Sequence, residues 1–295
     1  MENKTDLIKL LKDIAEKNKF SAVLIEKDFH LTKILHKVSE KQIEDLVFKG
    51  GTCLNKCYLG FYRLSEDLDF VYNKDMKNLS KKQVKKILDN LRQEFFEILR
   101  SLGFITNKEL GKGWKMLTSK TPPGIIGLEI TIGYKSLMDD SPQDIKIEIS
   151  FRNKLKKPAK RKIINHKFVD VLGEPILKED IEIEVIDLVE NFAEKFRALI
   201  TRKHLAIRDV YDIYFILKNE ILAIDKEVIA LILIKINESK KFTRKELNEF
   251  IASLNSKITE LNEKEIEAVI KSDEKIDVKE MTQLIMEKFQ SGKDK

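Results

Sequence analysis

The sequence predicts an α+β fold: helices first, a sheet in the middle, and helices again to the end. Three observations predict it. Apolar residues recur at helical spacing over residues 7–38, the period changes to two over residues 104–150, and from Asp187 onward the spacing is helical again. The boundary is expected at residue 186, with N-terminal helices and a sheet-bearing core in 1–186 and a helical domain in 187–295. A chain of 295 residues, 42% of them hydrophobic, is long enough for two such units.

Leu7, Leu10, Leu11, Ile14 and Ala15 mark a first helix, and Val23, Leu24, Ile34, Leu35 and Val38 a second. Leu46-Val47-Phe48 followed by Gly50-Gly51-Thr52 reads as strand, tight turn and helix start. A strand over residues 68–72 comes next. Ser80 with Gln83 makes a capping box before a long helix over 81–102, which Gly103 is placed to stop. Strands are expected at 104–106, 114–118, 128–134 and 145–150, split by Pro122-Pro123-Gly124 and Ser141-Pro142, with two more near 168–172 and 181–186.

Composition excludes several classes. With 35% charged residues against about 25% in ordinary globular proteins, the surface is heavily solvated. Eleven glycines and five prolines leave no room for collagen or a flexible linker. The net charge of +6 is mild, so its placement matters more than its size. Cys53 and Cys57 are too few to staple a secreted domain, and a reducing, cytoplasmic compartment is expected. The longest apolar run, residues 228–234, is far short of the roughly 18 residues a span requires, and acids interrupt the N-terminus. Neither a signal peptide nor a membrane segment is expected.

Chemistry is concentrated in Arg63-Leu64-Ser65-Glu66-Asp67-Leu68-Asp69-Phe70. Residues two apart in a strand share a face, so Asp67 and Asp69 project together while Leu68 and Phe70 enter the core. Adjacent carboxylates repel unless a cation lies between them, and hard oxygen donors suit Mg²⁺. The plain alternative is a solvated strand end. In Ile145-Lys146-Ile147-Glu148-Ile149-Ser150 the alternation puts Glu148 on the polar face. If that strand neighbours the Asp67 strand, three carboxylates converge, enough for two metals about 3.5 to 4 Å apart. Otherwise Glu148 is a cross-strand partner for Lys146 or another lysine. Gly50, Gly51 and Thr52 open a helix whose free amides favour a phosphate, although any tight turn uses glycine. The four histidines lack ligand spacing, which argues against zinc. Trp114 reads as a core or rim aromatic.

The combination resembles a known family. Phe48-Lys49-Gly50-Gly51-Thr52-Cys53-Leu54-Asn55-Lys56 and the Asp-x-Asp segment resemble the signature of the AbiEii/AbiGii toxin family of nucleotidyltransferases. Glu26-Lys27-Asp28-Phe29 is similar to its N-terminal motif, and Glu194-Lys195-Phe196-Arg197-Ala198-Leu199 with Arg208-Asp209-Val210-Tyr211-Asp212-Ile213-Tyr214 to its later ones. The resemblance implies a polymerase-beta-like nucleotidyltransferase core, a mixed sheet with helices, followed by a helical domain. It also implies a divalent metal, Mg²⁺ or Mn²⁺, and an NTP as substrate. Asp67 and Asp69 would be metal ligands, Glu148 the third acid, and Gly50, Gly51, Thr52 and Ser65 would surround the triphosphate. Lys195 would neutralise the triphosphate, and Asp209 or Asp212 would be an active-site acid; spacing does not choose between them. From the residues alone, Lys195 is a solvated lysine, and Asp209 and Asp212 are a capping acid and an ion-pair partner of Arg208.

Members of this family are toxins of abortive-infection and toxin–antitoxin systems, and the best understood act on tRNA. The implied activity is transfer of a nucleotide to an RNA hydroxyl, expected at the 3′ end of tRNA, and the implied partner is a separately encoded antitoxin. The rivals are transfer to a protein or small molecule, and a non-catalytic RNA-binding module. Arg152, Lys154, Lys156, Lys157, Lys160, Arg161 and Lys162 crowd the segment after the Glu148 strand. They read either as charges that protect an edge strand or as phosphate contacts for RNA, placed near the active site because the segment leaves the catalytic strand.

Overall fold

The computed structural model describes residues 4–76, 79–104, 113–120, 123–151, 154–169, 176–177, 180–258 and 264–291. The chain divides into two compact units, Met1–Ile186 and Asp187–Lys295.

Unit 1 opens with α1 (Lys4–Asn18) and α2 (Ala22–Lys41) and continues through β1 (Leu46–Lys49), α3 (Gly50–Cys53) and β2 (Leu68–Tyr72). Then come α4 (Lys81–Ser101), β3 (Trp114–Lys120), β4 (Pro123–Lys135), β5 (Pro142–Ser150), β6 (Lys160–Ile163) and β7 (Glu182–Val185). The strands form one mixed sheet in the order β3-β4-β5-β2-β1-β7-β6. β2 is antiparallel to β1 and parallel to β5, and β7 is parallel to β1.

Paired residues share a face, so the register defines two rows. Phe48, Phe70, Ile149, Leu128 and Met116 run side by side across five strands. Their inner members pack with α4, where Phe95 meets Phe70 at 5.7 Å between ring centres, and with Leu31, Ile34, Leu35 and Val38 of α2. The same register builds a polar row on the opposite face: Lys49, Asp69, Glu148, Glu129 and Lys115. A second core joins Leu11, Ile14 and Ala15 of α1, Ile25 and Phe29 of α2, Phe61, Leu64 and Phe168, which anchors the loop leading into β2.

Ser80 and Gln83 form the expected capping box at α4, and Gly103 beyond it has φ +80°. Other elements depart from expectation. The helix after β1 begins at Gly50 itself and widens into a π-helical turn, Leu54–Leu59, closed by Gly60 N donating to Asn55 O. β4 and β5 start on Pro123 and Pro142, a position where a missing N–H costs the ladder nothing. β6 lies inside the basic stretch, where Lys160, Arg161 and Lys162 hide the strand because an edge strand need bury little. Phe104 is not in a strand, residues 105–112 lie outside the described residues, and near 168–172 the described part holds an isolated bridge at Val169.

Unit 2 consists of α5 (Leu188–Thr201), α6 (Ile207–Lys218), α7 (Lys226–Asn237), α8 (Arg244–Ala252), α9 (Leu254–Ile258), α10 (Lys264–Glu267) and α11 (Val278–Ser291). Asp187, Asp225 and Thr243 cap α5, α7 and α8. Phe196 packs between Phe192 and Phe289. Lys235 of α7 is buried against Glu190 (2.5 Å) and Glu194 (3.0 Å) of α5. Burial works against its charge, but Glu194, Glu190 and Glu238 outweigh it and hold the ammonium above its usual range. No helix of the described residues is long and apolar enough to cross a membrane.

Candidate active site

β1 ends in a backbone conformation that only glycine accepts easily. Gly50 has φ +79°, and a Cβ there would lie 2.9 Å from the Asp69 Cβ and closer still to Oδ2. At Gly51 a Cβ would lie 2.6 Å from Arg63 Nη2 and 3.3 Å from Ser65 Oγ. Thr52 Oγ1 donates to the main-chain carbonyl of Asp67 at 2.5 Å. The glycine turn is therefore fitted against the Asp67 segment at three successive residues. Gly50, Gly51, Thr52, Ser65, Asp67 and Asp69 stand together, with Arg63, which the sequence reading did not single out, buried beside them.

β5 lies next to β2, and its register puts Glu148 directly beside Asp69. The residue level with Asp67 is instead Lys146, whose Nζ is 3.9 Å from Asp67 Oδ2. Glu148 therefore extends the acidic row sideways from Asp69, toward Glu129, and does not close a triangle over Asp67. Glu129 in turn pairs with Lys115 at 2.7 Å. Strict alternation made Glu148 legible, whereas Glu129 becomes visible only when β4 and β5 are paired.

Among the described residues, no group of three or more histidine, cysteine or carboxylate side chains is gathered closely enough to hold a metal ion. The Asp67–Asp69 pair nevertheless has the chemistry of a cation site. Burial, then the Asp69 and Glu66 carboxylates, hold the Asp67 carboxyl above the usual carboxylate range, against the opposing pull of Lys146 and Lys27. A hard divalent cation would relieve that repulsion, so the residues present fit one.

Within unit 2, Lys195 of α5 bridges to α6, with Nζ 2.9 Å from Asp209 Oδ1 and 2.7 Å from Asp212 Oδ2. Both aspartates hold the lysine. Arg202 also contacts Asp209. Lys195 is largely buried in this cage and is not the solvated surface lysine of the plain reading.

The basic segment requires a correction. Because β5 runs parallel to β2, it exits at the Tyr72 end of the sheet, away from Asp67, and Leu155 N donates to Asn73 Oδ1 there. Lys160, Arg161 and Lys162 then form β6, separated from β2 by β1 and β7. Arg161 faces Glu184 (3.3 Å) and Glu182 (3.8 Å), and Lys162 Nζ stands 4.5 Å from the Tyr58 ring centre. Lys154, Lys156 and Lys157 lie on the approach to β6, and Arg152 is outside the described residues.

A glycine turn that opens a helix against an Asp-x-Asp strand of a mixed sheet sets an anion site beside oxygen donors suited to a divalent cation. The nucleotidyl transferase AbiEii toxin family of type IV toxin–antitoxin systems matches residues 34–288, and the chain belongs to it. Among solved structures, the fold is similar to that of the nucleotidyltransferase toxin MenT4 of Mycobacterium tuberculosis H37Rv, with a TM-score of 0.64, 17% identity, and coverage of 98% of this chain and 90% of that one. It is also similar to JHP933 of Helicobacter pylori, with a TM-score of 0.55, 16% identity, and coverage of 93% and 94%. No match was found among curated proteins.

Proposed function

We propose that this nucleotidyltransferase toxin transfers a nucleotide from an NTP to an RNA hydroxyl at the 3′ end of tRNA. The observation that carries the reading is the fit of the Gly50 turn against Asp69, which sets helix-start amides suited to phosphate beside two oxygen donors suited to a cation. Asp67 and Asp69 would hold Mg²⁺ or Mn²⁺, which when bound would neutralise phosphate charge and activate the attacking oxygen, and Glu148 stands beside Asp69.

The chain's own residues do the rest. Gly50, Gly51, Thr52 and Ser65 seat the triphosphate. The acceptor oxygen bonds to the α-phosphorus as the bond to the bridging oxygen of the β-phosphate breaks, and pyrophosphate leaves with that electron pair. The hydroxyl proton passes to a carboxylate, for which Glu148 stands beside Asp69. Lys195, oriented by both aspartates, neutralises the departing pyrophosphate. Lys154, Lys156, Lys157, Lys160, Arg161 and Lys162, with Arg152, are the cations offered to RNA phosphates.

The family implies a separate antitoxin as partner. Two buried free cysteines are compatible with the reducing cytoplasm in which we place the protein. The test incubates purified protein and Mg²⁺ with total RNA and each α-labelled NTP in turn, followed by mass spectrometry of the labelled species. Label at tRNA 3′ ends is expected; label only on protein or small molecules would overturn the acceptor.

A further inference from the structure

Three consecutive charged residues, Glu26, Lys27 and Asp28, are buried on α2 at 0%, 5% and 0% exposure. Successive helical residues point about 100° apart, so burying all three requires partners on three sides. Each finds a partner on a different segment. Glu26 accepts from Ser136 Oγ (2.6 Å) and Leu137 N (2.8 Å), in the turn between β4 and the Glu148 strand. Lys27 Nζ lies 3.0 Å from Glu66 Oε2, next to Asp67. Asp28 pairs with the wholly buried Lys56 at 2.8 Å, in the π-helical turn that continues from Gly50-Gly51-Thr52, and Lys56 also donates to Thr32 Oγ1. The three segments carrying the acids and the glycine turn are thus tied to one helix.

We propose that Glu26, Lys27 and Asp28 form a positioning clamp for the site, and that its Lys27–Glu66 arm fixes the orientation of the Asp67 carboxylate. Buried ion pairs are poor stabilisers compared with well-packed apolar side chains, so three adjacent ones are better explained by fixed geometry than by stability. Thr52 holds the Asp67 carbonyl from one side and Lys27, through Glu66, holds the preceding residue from the other. Neither Lys27 nor Glu66 is assigned a contact with substrate.

Lys27 also places a positive charge near Asp67, and this permits a test that separates positioning from simple charge. The proposal rests on reading Asp67 as a cation ligand. Mn²⁺ binding to the full chain is titrated by EPR of free Mn²⁺, for wild type, Lys27→Met, Lys27→Arg, Glu66→Gln and the Lys27→Met/Glu66→Gln double variant. Removing a cation without loss of geometry would tighten Mn²⁺; loss of positioning weakens it. The expected result for Lys27→Met and Glu66→Gln is Mn²⁺ affinity and kcat lowered about 10-fold to 100-fold, typical of residues that orient metal ligands, with little change in NTP KM. Lys27→Arg should restore most of both, and the double variant should be no worse than the poorer single one. Glu66→Gln removes a negative charge and would weaken Mn²⁺ by charge alone, so if Lys27→Met does not fold the double variant, which leaves the net charge unchanged, decides: weaker Mn²⁺ is expected and unchanged Mn²⁺ overturns the clamp. Unchanged or tighter Mn²⁺ in Lys27→Met or Glu66→Gln overturns the clamp alone. Absence of Mn²⁺ binding by wild type overturns both the clamp and the cation reading.

Discussion

Gly50 and Asp69 are in such close contact that no side chain fits between them: the Asp69 carboxylate occupies the place where a Cβ on Gly50 would stand. The contact joins the end of β1 to β2, whose register already sets Lys49 beside Asp69.

Gly50→Ala should therefore lose stability twice, through the positive φ and through the collision, by about 1 to 3 kcal/mol in total. Activity should be lost with it because Asp69 must move. Gly60→Ala is the comparison, since Gly60 also has a positive φ but a Cβ there meets nothing within 4 Å. It should cost about 1 kcal/mol and leave transfer intact. Thermal melts and transfer assays on both variants check this; equal activity in the two would contradict it.

Asp67→Asn should remove transfer yet leave the fold as stable as before, or more so. Because the folded Asp67 carboxyl is raised above its ordinary value of 3.8, its contribution to stability is fully present below that value and is lost as the pH rises through the folded value. At neutral pH the Asn variant should match or exceed wild type, and the advantage should vanish below about pH 3.8, the ordinary value. Added Mg²⁺ should raise the melting temperature of wild type and not of the variant. Melts across pH with and without Mg²⁺ decide it, and a less stable Asn variant at pH 7 would contradict the prediction.

Lys195→Ala should harm unit 2 as well as catalysis. It strands the Asp209 and Asp212 carboxylates, and breaking a buried pair costs about 3 to 5 kcal/mol. Adding Asp212→Asn should recover part of the stability but not NTP turnover. Denaturant melts beside kcat and KM for NTP separate the two effects; unchanged stability and NTP kinetics would return Lys195 to the surface.

Much of this was legible in the sequence because the signals are local. Asp67 and Asp69 share a face by simple alternation, Ser80 and Gln83 announce a helix, and Gly50 announces a turn. What could not be read depends on pairing. Strand direction decides that the chain leaves β5 at the far end from Asp67, and no composition reveals direction. Lys146 beside Asp67, Glu129 beside Glu148, and the three partners of Glu26, Lys27 and Asp28 all require the sheet register or a long-range contact. Lys195 looked exposed because its partners, Asp209 and Asp212, are on another helix.

The displaced basic segment changes what its mutation should do. Replacing Lys154, Lys156, Lys157 and Lys160 with Gln should weaken RNA binding across sequences without altering NTP KM, since the segment leaves β5 at the Tyr72 end of the sheet, where Leu155 N donates to Asn73 Oδ1. Each lost phosphate contact should flatten the slope of log K against log salt by about 0.7 to 0.9. Binding titrations at several salt concentrations measure it; an unchanged slope assigns these charges to protecting the edge of the sheet.

In the proposed reaction the Gly50 turn and the Asp67–Asp69 pair together carry nucleotide transfer to RNA. Pyrophosphate release and nucleotide incorporation into RNA, measured in the same reaction for wild type and Asp69→Asn, test it most directly. One pyrophosphate per incorporated nucleotide in wild type, and neither product from Asp69→Asn at unchanged thermal stability, is the predicted result. Pyrophosphate without labelled RNA, or undiminished incorporation by Asp69→Asn, would contradict it.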